Sequence, residues 1–78
     1  MKILVVEGEK YMQDRAGKYL ATEGFLVDTV QDFTVARNRI NVCEYDCLVL
    51  DLALLGGRGF DLLVELKSIR PNTGVIMT

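Results

Sequence analysis

The hydrophobic positions fall into blocks whose period changes along the chain. "ILVV", Ile3 to Val6, is a short continuous apolar run rich in β-branched residues and suits a strand buried on both faces. From Glu9 to Glu23 the period lengthens. Met12, Ala16, Tyr19 and Leu20 recur at three and four with charges between them, the pattern of an amphipathic helix that Gly24 can stop. Phe25 to Val30 reads as a second strand, and Asp32 can cap a helix carrying Val35, Ala36 and Ile40. Cys47 to Leu50 is a third buried strand that ends at Asp51, and Leu52 to Arg58 reads as a loop. Gly59 to Ile69 reads as a third helix with Phe60, Leu63, Leu66 and Ile69 along one side. Pro71 and Asn72 break the chain before a fourth strand, Gly74 to Met77.

Strands and helices alternate, which predicts an α/β fold with a parallel sheet and right-handed crossovers. Ligands in such sheets lie beyond the carboxyl ends of the strands, where strand order reverses. The loops after strands one and three are the candidates for that place. They hold Glu7, Gly8, Glu9 and Asp51.

Composition narrows the chemistry. The 78 residues allow a single domain with a small core, and a hydrophobic content of 50% excludes a disordered tail. A net charge of −2 argues against a nucleic-acid-binding surface. No apolar run approaches the roughly 18 residues of a membrane span, and Ile3 to Val6 is too short for a signal peptide. Two cysteines, Cys43 and Cys47, make a poor disulfide framework and suggest a reduced, cytoplasmic compartment. The absence of histidine removes histidine acid–base chemistry and histidine metal ligands from this chain. Gly56, Gly57 and Gly59 are followed by neither Gly-Lys-Ser/Thr nor the third glycine of a dinucleotide fingerprint, so they read as a turn.

Asp51 is the most informative residue. It lies inside "CLVLDLALL", and an ionised carboxylate is costly to bury unless it is paired or bound to a metal. One reading makes it a strand-end aspartate capping a turn. The other groups it with Glu7 and Glu9 at the same sheet edge. Carboxylates gathered there repel each other, and a hard cation such as Mg²⁺, which takes oxygen ligands and keeps several waters, relieves that repulsion. A carboxylate beside such a cation can attack a phosphoryl group and form an aspartyl phosphate.

"MKILVVEGE", "YDCLVLDLALLGGRGFDLLVELK" and "GVIM" together resemble the receiver domain of bacterial two-component response regulators. The resemblance implies a flavodoxin-like doubly wound parallel sheet of order 2-1-3-4-5, Mg²⁺ as cofactor, and transfer of a phosphoryl group from a sensor histidine kinase. It makes Asp51 the phosphoacceptor and Glu7 the first acidic-pocket position. It makes Ala53 the residue whose backbone carbonyl completes the metal site. Gly8 stands where the family has the aspartate that contacts Mg²⁺ directly, so the implied site is weakened. Glu9 matches the acidic residue that follows the pair and is not a usual ligand. Leu55 replaces the usual proline, and Thr78 falls one position before the family's switch residue by spacing.

The resemblance also implies that residues 1–78 are the N-terminal two-thirds of a receiver, β1-α1-β2-α2-β3-α3-β4 only. The family's invariant lysine, its last elements and any effector domain, for example a DNA-binding one, are then not in this chain. An uncovered fourth strand predicts self-association. The expected function is signalling through phosphorylation of Asp51, with no enzymatic activity beyond the receiver's own phosphorylation and dephosphorylation. Because of Gly8, a degenerate receiver acting as a phosphorylation-independent interaction module is the alternative. A small Mg²⁺-dependent phosphoryl hydrolase is the third reading, and it lacks nearby lysine, histidine or serine to bind substrate.

Overall fold

The structure is a computed structural model and describes residues 1–51 and 58–78. Its elements are β1 (Lys2–Val6), α1 (Lys10–Thr22), β2 (Leu26–Val30), α2 (Phe33–Val42), β3 (Cys47–Leu50), α3 (Gly59–Ile69) and β4 (Gly74–Met77). All strands are parallel, in the order β2-β1-β3-β4. β1 lies between β2 and β3, so the chain reverses direction across the sheet after β2, and the reversal falls between β1 and β3.

The register explains how one short sheet buries both faces. Leu4 pairs with Leu48 and Val6 with Leu50. These residues point to one face and join Ala36 and Ile40 of α2 and Leu62 and Leu66 of α3 in a single core. Ile3 and Val5 alternate to the opposite face, where α1 packs on β1 and β2. Each leucine so enclosed contributes about 1.5–3 kcal/mol relative to an exposed one. At Gly17 of α1, an added Cβ would stand 3.3 Å from the Thr29 methyl. A small residue there lets α1 lie close on β2. Gly24 (φ +93°) closes α1 in the left-handed conformation that glycine adopts without strain.

Two helix faces differ from the periodicity reading. Met12 and Tyr19 are exposed, and the side chain that α1 buries is Gln13, with Ala16 and Leu20 half-buried beside it. On α3 the inward residues are Gly59, Leu62 and Leu66, with Leu63 packed against them, while Phe60 and Ile69 are exposed. In both helices apolar residues occur around most of the circumference, so hydrophobicity alone does not select the buried side. Tyr45, like Leu62, is a core residue that periodicity did not select. Its ring is buried and its hydroxyl donates to Asp28 Oδ2 at 2.7 Å.

Candidate functional site

The residue following each of three strands is still held by the ladder. The Glu7 amide donates to the Val30 carbonyl at 3.1 Å, the Asp51 amide to Val6 at 3.2 Å, and the Thr78 amide to Leu50 at 3.0 Å. Glu7, Asp51 and Thr78 therefore stand at the carboxyl edge of the sheet, on the ends of β1, β3 and β4. Glu7 and Asp51 are half-buried and flank the place where strand order reverses. The site is thus set by backbone pairing of apolar strands, and the carboxylates are carried one residue past the last core position of each.

The turn between β1 and α1 is closed by its own side chains. The Glu9 carboxylate accepts the Met12 amide hydrogen at 2.7 Å, which makes Glu9 the N-cap of α1. The Glu9 amide donates to Glu7 Oε1 at 3.3 Å. Beneath the turn, Gln13 Nε2 donates to the Glu7 backbone carbonyl at 3.4 Å. α2 begins in the same way, with Asp32 Oδ1 accepting the Val35 amide hydrogen at 3.0 Å. The expectation that three carboxylates gather is corrected here. Among the described residues no group of three or more acidic, cysteine or histidine side chains is placed to hold a metal ion, and the Glu9 carboxylate caps the helix. Glu7 and Asp51 are the carboxylates that stand at adjoining strand ends. Such a pair suits Mg²⁺, which is commonly bound through one or two carboxylates and keeps its remaining waters.

Gly8 lies between the capped helix and the strand. Gly24 is the positive-φ glycine among the described residues, so Gly8 holds a backbone conformation open to any L-residue. Ala53, Leu55, Gly56 and Gly57 lie outside the described residues. Arg58 is exposed at the start of α3, and its guanidinium carbon sits 4.0 Å from the centroid of the Phe33 ring. Cys43 ends α2 and Cys47 is half-buried in β3; both are free thiols. Gln13 was missed by sequence reasoning. A polar residue inside a helix full of charges carries no periodic signal, and only the packed helix shows that it is enclosed.

The fold agrees with that of known proteins. The model of the response regulator receiver domain matches residues 3–78. The chain is 40% identical over 68 residues to the two-component response regulator PhoP of Pseudomonas aeruginosa, covering 87% of this chain and 30% of that protein. It is 39% identical over 77 residues to the transcriptional regulatory protein TcrA of Mycobacterium tuberculosis, covering 99% of this chain and 30% of that protein. The chain therefore spans about 30% of the length of these curated relatives. The response regulator TrrA of Thermotoga maritima, solved in complex with the histidine kinase ThkA, superposes with a TM-score of 0.87 at 25% identity. That match covers 97% of this chain and 66% of that one. A family match across nearly every residue, and the same parallel α/β architecture, place this chain in the family of response regulator receiver domains of two-component systems.

Proposed function

We propose that Asp51 is the phosphoacceptor of this receiver and that Glu7 and Asp51, with the Ala53 backbone carbonyl implied by the family, hold Mg²⁺. The observation that carries this is the pair of half-buried carboxylates, Glu7 and Asp51, on backbone-paired strand ends at the reversal of strand order. An Asp51 carboxylate oxygen attacks the phosphorus of a phosphohistidine, the P–N bond breaks, and the departing imidazole keeps the electron pair and takes up a proton. Bound Mg²⁺ would neutralise charge on the phosphoryl oxygens. Glu7 holds its side of the pocket through the turn to Glu9, and the β1–β3 ladder fixes the position of Asp51.

The phosphoryl donor in this reading is a sensor histidine kinase, as TrrA's complex with ThkA suggests. The output is transcriptional control, as the relatives' names suggest, and the setting is cytoplasmic. Among the described residues no helix is long and apolar enough to cross a membrane. The exposed side chains Ile76 and Met77 on β4 support self-association of this chain through that edge, and light scattering across a range of concentrations tests it. The comparisons give the phosphorylation-independent reading no advantage over this one.

The test is intact-mass analysis after incubation with acetyl phosphate and Mg²⁺. The parent chain gains a phosphoryl group, Asp51→Asn does not, and Glu7→Gln gains it only at raised Mg²⁺ concentration. An adduct of unchanged yield in Asp51→Asn removes Asp51 from the role.

A further inference from the structure

We infer that Gln13 is a positioning residue for the acidic turn, holding Glu7 where it can serve Mg²⁺. The inference rests on the proposed role of Glu7 for its consequence, and on the observed packing for its cause. Gln13 is 3% exposed, one of two buried polar side chains among the described residues and the buried side chain of α1. A buried amide is costly unless its hydrogen bonds are made. Among the described residues no buried side-chain nitrogen or oxygen lacks a partner. The partner of Gln13 Nε2 is the backbone carbonyl of Glu7, six residues earlier and across the turn.

That bond ties the first turn of α1 to the end of β1, past Gly8. A glycine loosens a turn, since it has more backbone freedom to lose than any other residue. Position 8 thus removes rigidity where the pocket needs it, and the Gln13 amide restores a fixed point one residue away. The contact is 3.4 Å long, so a small tilt of the turn decides whether it is made. The Glu7 carboxylate is itself folded back onto the Glu9 amide, and Glu9 is fastened to α1 by its cap. The whole Glu7–Gly8–Glu9 turn is therefore referenced to α1 at Met12 and Gln13.

Outer partners that orient metal ligands typically change metal affinity by about 10–100-fold when removed. Gln13→Met, close in volume and length, deletes the donor and keeps the packing. Two readouts decide the matter. The first is Mg²⁺ affinity from amide chemical-shift titration, in which Gln13→Met binds at least about tenfold more weakly than the parent while its urea midpoint stays near the parent's. The second is hydrogen exchange at the Glu9 and Met12 amides without Mg²⁺, which speeds up in Gln13→Met. Gln13→Asn with a shorter reach gives the same loss, and Gln13→Glu, which offers no such donor when ionised, does too. Parent-like exchange at both amides in Gln13→Met overturns the inference, as does parent-like Mg²⁺ affinity. A parent chain that binds no Mg²⁺ overturns the metal reading instead, and the exchange measurement still decides the role of Gln13.

Discussion

The Glu9 carboxylate accepts the amide hydrogen of Met12 at 2.7 Å, and this bond separates an acidic residue of the turn from the acidic site. Removing it leaves an orphan amide at the start of α1. Glu9→Ala is expected to lower stability by about 1 kcal/mol, the usual worth of an N-cap. Because Glu9 is not a ligand in this account, Mg²⁺ affinity should fall far less in Glu9→Ala than in Glu7→Gln. Urea unfolding and a Mg²⁺ titration of the two variants check both halves of the statement. Equal losses of affinity would return Glu9 to the metal site.

Gly8→Asp should strengthen Mg²⁺ binding. Its φ is not in the left-handed region, so an aspartate enters without backbone strain. It adds a third hard oxygen ligand beside Glu7 and Asp51. We expect an increase in affinity of at least about tenfold, equivalent to roughly 1.4 kcal/mol. Without metal the added negative charge should reduce stability. Calorimetric titration checks the first effect, and thermal unfolding with and without Mg²⁺ checks the second.

Stability should decline in alkali, in two steps. Burial first, and the charge of Asp46 second, push the Cys47 thiol above its ordinary value. Burial first, then the hydrogen bond to Asp28 and its charge, push the Tyr45 phenol well above its own. A raised value means that the folded state binds the proton more tightly than the unfolded chain. Each contribution is therefore complete below the unfolded value, about 8.5 for cysteine and about 10 for tyrosine, and is lost as the pH rises above it. Cys47→Ala should remove the earlier part of the decline and Tyr45→Phe the later part. Near neutral pH, Tyr45→Phe should also cost about 1.5–3 kcal/mol, because Asp28 loses a hydrogen bond to its carboxylate. Its remaining cation, Arg39, is 3.9 Å away. Denaturation midpoints measured from pH 7 to 11 test the sequence of losses.

Much of this arrangement was legible in the chain itself. The unbroken apolar runs of β1 and β3 end at Glu7 and Asp51, and alternation with helices predicts that those ends meet at one sheet edge. The Asp32 cap, the stop at Gly24, and the bounds of β3, α3 and β4 follow from the same pattern, whereas the strand order came only from the resemblance to receiver domains. What escaped depends on choices between equivalent faces. Met12 and Gln13 are neighbours in sequence, and either could face inward by period alone. The approach of α1 to β2 at Gly17 turns Gln13 in and leaves Met12 out. The role of Glu9 escaped for a related reason. A carboxylate at that position reads equally well as a cap or as a ligand until the Met12 amide is seen to occupy it. Tyr45, outside every periodic block, is buried by a long-range bond to Asp28 that no local pattern announces.

The most direct test of the account is chemical capture of the phosphoryl group. After incubation with acetyl phosphate and Mg²⁺, borohydride reduces an aspartyl phosphate to homoserine, releasing phosphate. Peptide mass mapping then reads which residue was converted. The account predicts homoserine at position 51, and none when Mg²⁺ is chelated. Conversion at Glu7, Glu9 or another acidic residue with Asp51 intact would contradict it.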